Sequence, residues 1–164
     1  MTADNGWKAL GQVNEWIRFA DAKAAAVLAA SGVLGGLLVK RIPRLADFKD
    51  EPVYAGLLVV AILCLGGAAL IASRILAPRL RTGEARSLIY FDHVARRYGG
   101  DRRGYVDTFT ALTADEERFE RHLAEQVWAN SKVARAKFRR VAVAIYLLGA
   151  AMLSSGAAVL AYRL

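Results

Sequence analysis

Residues 113–162 read TADEERFERHLAEQVWANSKVARAKFRRVAVAIYLLGAAMLSSGAAVLAY, with no glycine or proline before Gly149. Thr113 and Glu116 have the spacing of a capping box, and Phe119, Leu123, Val127, Ala134 and Phe138 then recur on one face. From position 141 the 22 residues to Tyr162 carry no charge, enough to cross a hydrocarbon core about 30 Å thick. The stretch therefore predicts one helix of about 50 residues, about 70 Å long, running from water through a bilayer.

Working outward, residues 53–73 form a second uncharged run of 21 positions. A third, residues 24–39, has 16 positions between Lys23 and Lys40 and rises only about 24 Å. Lysines at both ends can extend toward the headgroups, so it too is read as a span. Upstream of it Leu10, Val13, Ile17, Ala20 and Ala24 share a stripe, which predicts a helix that begins near Trp7 and enters the bilayer unbroken. A long polar stretch precedes that first run, so it is expected to be retained rather than cleaved as a signal.

Composition fits this division. Hydrophobic residues make up 55% of the chain and charged residues 23%, so the two kinds must be segregated. The segment between Arg74 and Arg140 holds 15 basic and 9 acidic residues and can lie only in water. Near the span ends, 12 basic residues fall on the side of the amino terminus and this insert, against 5 on the other side. That asymmetry predicts a multi-pass membrane protein whose amino terminus and insert are cytoplasmic. The net charge of +8 is accounted for by orientation and anionic lipid, and no aromatic-interleaved basic motif points to nucleic acid.

The expected fold is an all-α membrane protein: three transmembrane helices with a cytoplasmic helical bundle formed by helix extensions and the insert. Its parts are residues 1–42, an amphipathic helix running into the first span; 53–77, the second span; 78–140, a helical sensor region; and 141–164, the third span. Within the insert a helix is expected over 84–98, with Leu88, Phe91, Ala95 and Tyr98 on one side. Pro78 and Gly83 break the chain before it, and Gly99, Gly100 and Gly104 turn it afterwards. A short element over 105–111 follows.

The residues offer little for catalysis. His93 and His122 are the two histidines, and no metal-ligand spacing, phosphate loop or nucleophile elbow is present. Asp115, Glu116, Glu117 and Glu120 occupy the first turns of a helix, where negative charge suits the dipole. Cys64, the single cysteine, sits mid-span and reads as a packing residue. Neither an enzyme nor a cofactor or metal requirement is expected.

Polar groups on apolar faces are more informative. Asn14, Arg18 and Asp21 share one face of the first helix beside Trp16, Phe19 and Lys23, as an interfacial belt with Arg18 paired to Asp21 or as binding groups. Gln126 and Asn130 interrupt the stripe of the long helix and either fix its register or contact a ligand. Arg86, Ser87, Tyr90, Phe91 and His93 combine a cation, aromatic faces and hydrogen-bonding tips. Together these ten residues could line a small polar pocket for a compact anion bearing a planar base. In the spans, Gly32 and Gly36 have GxxxG spacing, and Gly35, Gly66, Gly67, Ala150 and Ser154 add small residues suited to close helix approach within or between protomers.

Three stretches carry a family resemblance: NEWIRFADAKA at 14–24, SLIYFDHVA at 87–95 with YVDTF at 105–109, and EQVWANSK at 125–132. In order and position around the spans they resemble the Pycsar transmembrane effectors. The resemblance implies an anti-phage effector that binds cyclic CMP or cyclic UMP made by a partner pyrimidine cyclase and then impairs the inner membrane, as a homo-oligomer. It implies that Arg86 or Arg18 meets the phosphate, Tyr90 or Phe91 stacks on the base, and Gln126 or Asn130 reads its edge. The competing expectation is a ligand-independent scaffold or regulatory subunit of a larger complex.

Overall fold

The computed structural model describes residues 3–43, 47–77 and 87–162, and every regular element among them is helical. Helix α1 spans Ala3–Leu38 and closes with a 3₁₀ turn, Val39–Arg41. A single-turn α2, Asp47–Asp50, precedes α3, Pro52–Leu76. Then come α4, Phe91–Tyr98, α5, Arg102–Ala114, and α6, Glu116–Ala161. At 46 residues α6 is about 69 Å long, close to the length expected of it. Three of these helices, α1, α3 and α6, are long and apolar enough to cross a membrane.

The chain forms two compact units, one of Met1–Arg18 with Pro78–Arg135 and one of Phe19–Ala77 with Ala136–Leu164. Both α1 and α6 contribute to each. The second unit is built on alanine. Ala20 and Ala24 of α1 are fully buried with Ile75 of α3 and Val141 of α6, and Val27, Ala68, Ala72 and Ala144 form the next layer. Small side chains let backbones approach without an apolar driving force in lipid. Glycine serves the same end at Gly67, where an added Cβ would lie 3.3 Å from Leu147 Cδ1. At Gly32 and Gly36, by contrast, a Cβ would meet nothing within 4 Å, so this GxxxG pair makes no close approach within the chain.

The first unit departs from sequence expectation at four helix ends. Helix α1 starts at Ala3 rather than near Trp7, because Gly6 faces Leu123 and the Trp7 ring packs 6.0 Å from that of Phe119. Helix α5 covers Arg102–Ala114, longer than residues 105–111, since Asp101 Oδ1 caps it by accepting from Gly104 N at 2.8 Å. Thr113 thus lies inside α5, where its hydroxyl donates to Thr110 O, and it does not cap α6. That role falls to Asp115, whose Oδ1 accepts from Arg118 N at 3.0 Å. The helix expected over 84–98 begins only at Phe91, for reasons that belong to the site; residues 78–86, with Pro78 and Gly83, lie outside the described residues.

Candidate functional site

Residues 87–90 form a turn whose backbone amides are taken by side chains. Ser87 Oγ accepts from Ile89 N at 3.3 Å and Tyr90 N at 3.1 Å, Ser87 N donates to His93 Nδ1 at 3.2 Å, and Leu88 N donates to His122 Nε2 at 3.4 Å. Serine hydroxyls compete in this way with helical hydrogen bonding, which holds the start of α4 back to Phe91. The same turn is anchored from α5, where Tyr105 Oη donates to Leu88 O at 3.2 Å, and Leu88 is buried.

From this turn a chain of hydrogen bonds runs across the first unit. Ser87 Oγ donates to Gln126 Oε1 at 2.8 Å, Gln126 Nε2 to Asn130 Oδ1 at 3.0 Å, and Asn130 Nδ2 to Asn14 Oδ1 at 2.8 Å. The chain has a direction set at its origin. Both lone pairs of Ser87 Oγ are engaged by the Ile89 and Tyr90 amides, so its proton must go outward and each amide in turn must present oxygen toward Ser87. Gln126 is only 9% exposed, and Leu123, one turn before it on α6, is fully buried. A buried polar chain is stable only while its members satisfy one another.

Of the residues singled out from sequence, Ser87, Gln126, Asn130 and Asn14 are thus brought into one chain. His93 joins it through Ser87, and Tyr90 packs against both His93 and Phe91 with ring centroids 4.9 Å apart. Phe91 is 65% exposed. Arg86 lies outside the described residues. Of the two readings of this face, the pairing of Arg18 with Asp21 is not formed: the Arg18 guanidinium meets Glu15 Oε1 at 3.3 Å on the exposed surface, and Asp21 accepts from Lys137 in the second unit.

The three motifs and their helical setting extend to the family comparison. The Pycsar effector protein domain matches residues 5–163. The chain belongs to the Pycsar effector family. It is 98% identical over 59 residues to the Pycsar effector protein MePycTM of Micromonospora echinofusca, a match that covers 36% of this chain and all of that relative. Over 148 residues it is 30% identical to the Pycsar effector protein PtPycTM of Propioniciclava tarda, covering 84% of this chain and 68% of that relative. No solved structure matches it significantly. With its three candidate spans, this Pycsar effector is a membrane protein.

In the Pycsar effector the turn at the head of the polar chain is also held by two residues that were not among the sequence candidates, His122 and Tyr105, which bond to Leu88 N and Leu88 O. His122 precedes Gln126 and Asn130 at successive intervals of four, so its place on their stripe was readable from spacing. Tyr105 had no such signal. Its partner is a carbonyl 17 positions upstream, and only the fold brings the two together.

Proposed function

We propose that this chain is the membrane effector of an anti-phage system, in which the first unit binds a cyclic pyrimidine mononucleotide, cyclic CMP or cyclic UMP, supplied by a partner cyclase. The observation that carries the reading is the chain from Ser87 through Gln126 and Asn130 to Asn14, which joins three separate stretches of sequence in one unit. Its groups are those a pyrimidine edge can use, and a ligand that takes Gln126 or Asn130 must displace a bond now made inside the protein. Binding and repacking of the first unit are then the same event. A ligand shifts such an equilibrium only through its differential affinity for the two arrangements. Phosphate recognition falls to Arg86 or Arg18, and stacking to Tyr90 or Phe91.

Helices α1 and α6 continue without a break into spans, so a change in their spacing acts on the bilayer directly. We take the outcome to be impaired integrity of the inner membrane, with the first unit cytoplasmic and the active species a homo-oligomer. Calorimetry of the purified protein with cyclic CMP, cyclic UMP, cyclic AMP and cyclic GMP tests the first half; absence of binding by both pyrimidine forms refutes it. Dye release from liposomes on nucleotide addition tests the second. A specific observation favours one alternative: every link of the polar chain is made inside the protein, as in a register-fixing device of a ligand-independent scaffold. That alternative requires liposomes that never leak.

A further inference from the structure

Two charged side chains 116 positions apart meet at the beginning of the second unit. Lys137 Nζ of α6 donates to Asp21 Oδ1 of α1 at 2.5 Å, and the side chains are only 22% and 36% exposed. Beside them Lys23 Nζ lies 5.4 Å from the ring centroid of Phe138, so a second cation, this one from α1, reaches onto α6. Ala20 and Ala24, on either side of Asp21, are fully buried against Ile75 and Val141.

This arrangement differs from the other ion pairs of the described chain. Lys8 with Asp4, Arg18 with Glu15, Arg96 with Asp92, Arg118 with Asp115, and Arg121 with Glu117 each join residues three or four apart on one chain segment. Such pairs steady a single helix and contribute little when exposed. Asp21 and Lys137 join two helices, and beyond them no charged residue occurs in residues 24–39 or 141–162. Theirs is the last charge pair before the apolar spans. Where water is scarce the attraction strengthens, and breaking the pair strands two partly desolvated charges.

We propose that Asp21 and Lys137, helped by Lys23 on Phe138, are positioning residues that latch α1 to α6 and hold the effector in its non-permeabilising state. Asp21 thereby acts in the response of the membrane part and not as a ligand contact. The proposal rests on the reading above that the chain permeabilises membranes. Its geometric half does not.

The test uses the full chain in phosphatidylcholine and phosphatidylglycerol liposomes, with Asp21→Lys, Lys137→Asp and the double exchange. Each single reversal is expected to raise nucleotide-free dye release about tenfold or more, and the exchange to return it to near the parent rate. In parallel, spin labels on Ala22→Cys and Ala136→Cys, both exposed, in a Cys64→Ala background report the separation of α1 and α6. The single reversals should lengthen it and the exchange restore it. Should Asp21→Lys fail to insert, Asp21→Asn removes the attraction without placing two cations together. Inserted single variants with unchanged separation and release overturn the latch, as does an exchange that restores neither. If separation follows the latch but no protein, parent included, leaks with any nucleotide, the latch stands and the permeabilisation reading falls.

Discussion

Replacing Gln126 by alanine removes the middle of the polar chain. Two hydrogen bonds are lost, one from Ser87 Oγ at 2.8 Å and one to Asn130 Oδ1 at 3.0 Å. A net hydrogen bond contributes about 1 kcal/mol, and the stranded partners are half-buried, within reach of water, so the cost is about 2–3 kcal/mol. The reporters are the amides of the 87–90 turn: those of Ile89 and Tyr90, held by Ser87 Oγ, and those of Ser87 and Leu88, held by His93 of α4 and His122 of α6. Under conditions in which hydrogen exchange reports the opening equilibrium, these amides should exchange about 30- to 150-fold faster, while those of Ala68 and Ala72 in the second unit keep their rates. Gln126→Glu sharpens the test. A carboxylate can still accept from Ser87 but cannot donate to Asn130, which keeps a bond to residue 126 only by turning its amide and giving up its own donation to Asn14 unless Asn14 turns as well. Glutamate should therefore fall between the parent and alanine. Exchange within about threefold of the parent for alanine refutes the chain.

Further substitutions examine the helix ends. In Gly6→Val the added Cβ would lie 3.0 Å from Leu123 Cδ1 and 3.3 Å from Leu123 Cβ, inside a fully buried contact. Overpacking of this kind costs about 1–3 kcal/mol, visible as a lower thermal midpoint in Trp7 fluorescence with Trp16 and Trp128 replaced by phenylalanine, and partly recovered by adding Leu123→Ala. Asp115→Ala should cost about 1 kcal/mol through loss of the cap on α6, whereas Thr113→Val should cost under about 0.5 kcal/mol; the reverse order, read by chemical unfolding in detergent, would return the cap to Thr113.

How much of the site was legible depended on the kind of signal. Gln126 and Asn130 could be singled out because each breaks an apolar stripe, and a polar residue on a buried face needs a partner. Their partners were another matter. Ser87 is 39 positions from Gln126 and Asn14 is 116 from Asn130, separations across which no periodicity operates. The pairing of Arg18 with Asp21 was a reasonable local inference from spacing, yet Asp21 finds Lys137 across two helices, a stronger partner because it is less exposed. The late start of α4 was hidden for the same reason: its would-be first turn looks helical in sequence, but its amides are claimed by Ser87, His93 and His122.

The three spans, the charged insert and the unbroken length of α6 were determined by sequence alone. Each follows from apolar run length, the absence of helix breakers and 3.6-residue periodicity, properties that neighbouring residues fix among themselves. Tertiary structure decided the direction of the polar chain and the partner of Asp21. Those outcomes depend on which of several competing donors and acceptors arrive within hydrogen-bond distance, and that is settled only when remote stretches of the backbone pack together.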